Sequence, residues 1–297
     1  MDSWEKSRFS LFSILNYTMF GLFTLLCIFP FYYLFINTIS DNDLSSRGLI
    51  LFFPEGIHFQ NYLKVFHVQG LKLAMLVSVS RTVLGTILTV AASAFLGYLF
   101  TRSEMWGRKF WYRFLILTMY FNAGIIPWFI TMKNLGLMNN FWAYILPGIV
   151  VPFNIILVKT FIESTPIALQ ESAQIDGAGY ITIFYKIVMP LITPILATLA
   201  IFTAVGQWNS FTDTLFLVND SKLFTLQFIL YRYLNEANSL AEMMRNSTVG
   251  QVSLSQMPTP MTIQTTVTII VVAPILLVYP FFQRFFVKGI MIGAVKG

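Results

Sequence analysis

The sequence predicts an all-α integral membrane protein with six transmembrane helices, and three observations lead to that class. Of the 297 residues, 56% are hydrophobic and 11% charged, and the mean hydropathy is +0.70, a balance outside that of soluble domains. Six apolar segments, at 11–37, 73–100, 111–132, 140–160, 191–211 and 263–283, are each long enough to cross a hydrocarbon core of about 30 Å at about 1.5 Å per residue. The formal charge of +6 is spread over several loops rather than gathered in one basic block. That distribution sets orientation in a bilayer and argues against a nucleic-acid partner.

The first segment follows Lys6 and Arg8, which gives it the outline of a secretory leader. It is too long for the apolar core of a leader and no small-x-small cleavage site closes it, so it is read as a retained helix. Residues 1–72 are expected to hold this helix and an external loop. Cys27 is the sole cysteine, which leaves no disulfide framework and no cysteine-based metal site. His58 and His67 share one polar loop without a second group of ligands, and a surface role is expected for both.

With the N-terminus inside, eleven Lys and Arg residues fall on cytoplasmic segments and eight on the external side, Arg81 counted among the eight. The external loops are longer, so the cation density favours this orientation and puts both termini in the cytoplasm.

Residues 73–283 form the expected core. In the second segment Gly85, Ala92, Ser93 and Gly97 place small residues at helical spacing, letting a neighbouring backbone approach where lipid offers no hydrophobic drive. Pro30, Pro127, Pro152 and Pro274 are expected to bend or end helices. In the long loop after the fifth segment, Leu226, Ile229, Leu230, Tyr233 and Leu234 recur at three- and four-residue steps, with Arg232 and Glu236 on the other face. This pattern predicts an amphipathic external helix over 224–245, either packed on the bundle and lipid interface or offered to an external partner.

Between the fourth and fifth segments lies ESAQIDGAGYITIFYKIVMP, residues 171–190. Thr165 and Pro166 form a helix start, with the hydroxyl as cap and proline at the first helical position. A short helix over 167–176 should end at Gly177, which takes the left-handed conformation without strain. A second helix over 180–188 should stop before Pro190, where the fifth span begins. Ala168, Ser172 and Ala173 give a small face able to enter a groove, Glu171 and Asp176 offer charge, and Ile175, Phe184 and Tyr185 offer apolar anchors. On the residues alone, a docking elbow and a partnerless interfacial loop stand level. Catalysis by the two carboxylates is disfavoured, since no nucleophile, base or metal set accompanies them.

The spacing is the basis for a resemblance. Glu171-Ser172-Ala173, then Asp176-Gly177, then nine residues, then Ile187-Val188-Met189-Pro190 resembles the EAA loop of binding-protein-dependent ABC importer permeases, with Ser172 and Met189 as its departures. FFPEGIHFQNYLKVF, Trp208-Asn209 and YPFFQRFFVKGIMIGAVKG resemble the maltose-type carbohydrate-uptake family and, within it, the LplC-like polysaccharide permease group.

The resemblance implies a type I ABC importer permease bundle in the prokaryotic plasma (inner) membrane. It also implies a second permease subunit, a dimeric cytoplasmic ATPase, an extracellular or periplasmic solute-binding protein and a saccharide substrate. Glu171, Ser172, Ala173, Ile175, Asp176, Gly177, Ile187 and Pro190 would couple to the ATPase, and Lys296 and Gly297, in a cytoplasmic tail over 284–297, would reach toward it. No G-x-x-x-x-G-K-[ST] occurs in the chain, so ATP and Mg²⁺ are expected on the partner and no cofactor on this chain, which is not itself expected to be an enzyme.

Asn122, Asn154, Gln207, Trp208 and Asn209 are candidates for the substrate path, because polar groups in spans face protein or a cavity. The competing readings are a permease for an amino acid or phosphate, and a secondary transporter without an ATPase. Against the latter stand the near absence of charge in the spans and of an inverted repeat.

Overall fold

The computed structural model describes residues 11–67, 70–246 and 264–277, and every regular element among them is helical. The chain divides into two units, Met1–Val68 with Arg232–Val272, and Gln69–Tyr231 with Ala273–Gly297. The expected tail over 284–297, with Lys296 and Gly297, lies outside the described residues.

In the first unit, α1 (Leu11–Ile39) runs unbroken through Pro30. Its side chains are exposed over most of its length, Phe12, Leu22 and Leu26 among them, as expected of an apolar helix that lipid rather than protein solvates. Two short helices follow, α2 (Asn42–Ser46) and α3 (Gln60–Phe66). The Asp41 carboxylate caps α2 by accepting from the Asp43 and Leu44 amides at 2.9 and 3.2 Å. A buried polar lattice fixes the loop to the end of α1. Asn61 donates to the Thr38 carbonyl at 2.8 Å and to Asn42 Oδ1 at 2.9 Å, while Ser45 donates to Asn37 Oδ1 at 2.8 Å. His67 is exposed and its ring contacts the Leu63 carbonyl; His58 is half-buried.

In the second unit, α4 (Leu71–Leu99) is the other continuous helix long and apolar enough to cross a membrane. After it come α5 (Arg108–Thr118), α6 (Ile125–Asn134), α7 (Pro152–Glu163), α8 (Ala168–Ile175), α9 (Tyr180–Ile183), α10 (Met189–Leu191), α11 (Thr193–Asn209) and α12 (Thr212–Leu217). Helix α13 (Leu226–Asn246) belongs to the second unit up to Tyr231 and to the first from Arg232; Leu226, Phe228 and Leu230 are buried, and the exposed Arg232 and Glu236 pair at 3.4 Å. Helix α14 (Gln264–Leu277), which belongs to the first unit up to Val272 and to the second from Ala273, covers most of the sixth apolar segment.

Two expected spans are not single helices. The segment 111–132 breaks between α5 and α6, where Asn122 Oδ1 accepts from the Gly124 amide at 2.9 Å and Gly124 takes φ +83°. An asparagine folding onto its own backbone two residues before a left-handed glycine makes a turn, whatever the apolar residues around it prefer. The segment 140–160 consists of the 3₁₀ turns Phe141–Tyr144 and Leu146–Gly148 followed by α7, with a 46° bend ahead of Pro152, which disfavours helix in the preceding residue. Among the described residues there are thus two spanning helices, or up to four if each bent pair makes one span.

Helix α4 packs against α11 and α7, and its small residues explain how. A Cβ on Gly97 would lie 2.7 Å from Val158 Cγ1, and one on Gly85 would lie 2.9 Å from the Gln207 side chain. Between them Thr89 donates to the Gly148 carbonyl at 3.1 Å. Close backbone approach and hydrogen bonds across it bind helices where lipid is as apolar as leucine.

Candidate functional site

The elbow at 165–191 is built as expected in its middle and differently at both ends. At Gly177 (φ +80°) the Ala178 amide reaches back to the Ala173 carbonyl at 2.9 Å and the Gly177 amide to the Gln174 carbonyl at 3.0 Å. These two bonds make a Schellman ending of α8. At the start, Thr165 does not cap α8: its hydroxyl donates at 2.6 Å to the Ile162 carbonyl and so closes the end of α7. Helix α8 carries no side-chain cap.

At the far end Pro190 does not open the fifth span. It lies in α10, where it withholds the N–H that the Lys186 carbonyl would accept, and directly upstream the chain widens into a π-helical turn, Phe184–Val188. The sharp change of direction, 77°, falls instead at Ile192, between α10 and α11, with Pro194 in the first turn of α11.

Alternate residues of this elbow do different things. Ile183, Phe184, Val188 and Ile192 join Ala94 and Tyr98 of α4 and Val158 and Ile162 of α7 in one buried cluster, with Ala173 and Ile187 packed at its margin. The Phe184 ring lies 5.2 Å from that of Tyr98, and the Tyr98 hydroxyl donates to the Tyr180 carbonyl at 3.0 Å. Phe184 and Ala173, expected on the docking face, therefore point inward. Glu171, Ser172, Asp176 and Pro190 are exposed, and so is Ile175, at 86%.

The path candidates separate into two groups. Asn154 and Gln207 line a cavity of about 460 Å³ with Arg81, Trp128, Tyr144, Phe202 and Asp213. Asn122 and Asn209 are exposed and outside it. Trp208 is turned away and lines an apolar recess with Met75, Val79, Ile201 and Val205, so Trp128, not Trp208, is the indole at the cavity.

Arg81, an external cation by the sequence reading, is 2% exposed within α4. Its guanidinium donates from Nε and Nη2 to Gln207 Oε1 at 3.3 and 3.1 Å, and from Nη1 to the Ser210 carbonyl at 3.2 Å and Asp213 Oδ1 at 3.1 Å. Nη2 also donates to Asp213 Oδ2 at 2.5 Å, and the group lies 4.6 Å over the Tyr144 ring. Every N–H of an arginine is thereby satisfied. The charge inside an apolar span was the signal that could have marked this site; its partner on α12 had no signal.

The family described as binding-protein-dependent transport system inner membrane component matches residues 89–292, which hold the whole elbow and most of the cavity wall. The chain is 33% identical to the polygalacturonan/rhamnogalacturonan transport system permease protein YtcP of Bacillus subtilis (strain 168), over 97% of this chain and 99% of YtcP. It is 34% identical to the protein LplC of the same organism, over 96% and 95% of the two chains. Among solved structures, a chain of a bacterial ABC transporter involved in import of the acidic polysaccharide alginate superposes with a TM-score of 0.76 at 26% identity, over 96% of this chain and all of that one. The fold is thus that of a type I ABC importer permease, and the chain belongs to the family of binding-protein-dependent transport system inner membrane components.

Proposed function

We infer that this chain is the permease subunit of an ATP-driven importer that moves an oligosaccharide or polysaccharide handed to it by an external solute-binding protein. A second permease chain completes the pathway, and a dimeric cytoplasmic ATPase, holding ATP and Mg²⁺, drives it. In this reading the chain crosses the prokaryotic inner membrane six times with both termini in the cytoplasm. The broken segments 111–132 and 140–160 each count as one crossing, bent where the backbone is satisfied by neighbours.

The observation that supports coupling is the elbow's division of labour. Glu171 and Ile175 stand exposed on a helix whose Schellman turn and buried residues join it to α4 and α7. Seated in a groove of the ATPase, α8 transmits closure of the nucleotide sites to the bundle as a rigid-body movement. Ser172 and Asp176 lie at the same surface, Gly177 and Pro190 hold its shape, and Lys296 and Gly297 add a second contact from the tail. Among the relatives named above, a polygalacturonan/rhamnogalacturonan transport system permease and an alginate importer support the saccharide class.

The test is co-purification of the tagged chain from its native membrane. An ATPase and a second permease bearing the same elbow should come with it, and Gly177→Asp should insert normally yet give no uptake. Recovery of the chain as a lone homodimer would overturn the reading.

A further inference from the structure

Among the described residues that line the cavity beside α11, Arg81 is the one cation, and its donors are fully spent. Arg81 gives all of its donors to Gln207, Ser210 and Asp213, and its side chain is 2% exposed. An anion entering the cavity therefore meets no available positive group among the described residues. The neutral groups are open. Gln207 accepts twice from Arg81 through Oε1, which assigns its amide and leaves the Nε2 donors free of any protein partner among the described residues.

The Asn154 amide, on a residue 9% exposed, also lines the cavity and makes no hydrogen bond to the described protein. Asp213 has used three acceptor positions, two on Arg81 and one on the Thr214 amide at 2.9 Å. A carboxylate has about four, so one lone pair remains on a side chain that is 14% exposed. Trp128 supplies a half-buried aromatic wall.

We propose that this cavity is a saccharide subsite belonging to this chain, and that it recognises a neutral, hydroxyl-bearing sugar residue rather than a uronate. A sugar hydroxyl donates and accepts at once, so it matches Asn154, the Gln207 donors and the remaining Asp213 acceptor together, while the apolar face of the ring lies on Trp128. A uronate carboxylate only accepts. It would set a second anion beside Asp213 with no cation to meet it, at the desolvation cost of an unpaired charge. The cavity volume, about 460 Å³, falls within the range of about 300–1,000 Å³ usual for ligand clefts. This proposal rests on the saccharide-import reading above and narrows it.

The test uses the whole importer, purified with its partner subunits into lipid nanodiscs, and two probes: neutral arabinotriose and the anionic trimer of galacturonate. Binding is read by thermal shift and by direct calorimetry. Arabinotriose should bind the wild-type complex, and its affinity should fall at least tenfold in Asn154→Ala and in Trp128→Ala, while Trp128→Phe, which keeps an aromatic face, should retain most of it. Each variant complex is first checked for assembly by co-purification.

Loss of galacturonate binding in the same two variants would overturn the neutral assignment. Unchanged arabinotriose binding in both would show that the cavity is no subsite, with the import reading intact. If the wild-type complex bound neither probe, and its solute-binding protein carried no sugar, the saccharide reading would fall and this proposal with it.

Discussion

Arg81 on α4 and Asp213 on α12, 132 residues apart, meet through two N–H···O contacts, Nη1 to Oδ1 at 3.1 Å and Nη2 to Oδ2 at 2.5 Å. They join the second continuous helix to the segment that follows α11. A pair of this geometry inside a hydrophobic bundle contributes through the penalty for breaking it more than through its own attraction.

Asp213→Ala leaves the arginine buried with two donors unmatched, which costs about 3–5 kcal/mol. The purified complex should melt lower and accumulate less. Replacing both members, R81M with D213L, removes the charge to be desolvated and should recover most of that loss. A melting temperature of D213A equal to that of the wild type would show that solvent reaches Arg81 after all.

At Gly97 helices α4 and α7 lie close together, since a Cβ there would fall 2.7 Å from Val158 Cγ1 and 3.2 Å from the Lys159 amide nitrogen. Gly97→Ala should cost about 1–3 kcal/mol through overpacking, and Gly97→Leu should prevent accumulation. Gly21, with nothing within 4 Å of an added Cβ, is the control: Gly21→Ala should be neutral. Thermal denaturation of the three variants side by side decides the matter.

Exposed residues of α8 should behave in the opposite way. Glu171→Ala and Ile175→Asp alter side chains with no buried contact, so stability should stay within about 0.5 kcal/mol of wild type. Under the coupling reading, both variants should lose the ATPase on co-purification and lose uptake. Full retention of the ATPase by Ile175→Asp would remove α8 from the interface.

Tyr98→Phe separates anchoring from docking. The change deletes only the hydroxyl that donates to the Tyr180 carbonyl at 3.0 Å, at a cost of about 0.5–1.5 kcal/mol, and leaves the exposed face of α8 untouched. The ATPase should still bind while uptake per bound ATPase falls, because the elbow is less stiffly joined to α4. Equal transport at equal occupancy would place the stiffness elsewhere, in the Phe184 cluster.

How much of this the chain announced depends on whether the determinant was local. Helices α1 and α4 were legible because their apolar runs are uniform, and the Gly177 ending was legible because a left-handed C-cap is a property of one residue. Segment 111–132 was not, because its break is made by Asn122 and Gly124 within a run whose average composition is still apolar. Thr165 was misassigned because its hydroxyl has two backbone neighbourhoods within reach, and Ile162 holds it. Pro190 was placed at the wrong boundary because a π turn absorbs the missing N–H upstream. Trp208 and Trp128 could not be told apart by type, only by which side of α11 faces the cavity. Arg81 carried its own warning, a guanidinium in an apolar helix, but nothing adjacent to it names Asp213.

The elbow's alternation of buried and bare residues also bears on how such chains diverge. Ile183, Phe184, Val188 and Ile192 are constrained by the bundle of this same chain, so they drift only with their neighbours on α4 and α7. Ser172 and Ile175 are exposed and outside that cluster, and an exchange at either leaves the bundle unaware. Under the coupling reading, a lineage can retune the second set to a different ATPase while inheriting the first set whole, which is how one engine could come to serve several permeases. An identity score taken across these twenty residues averages the two histories; scored apart, the bare positions should track the ATPase and the buried ones the permease.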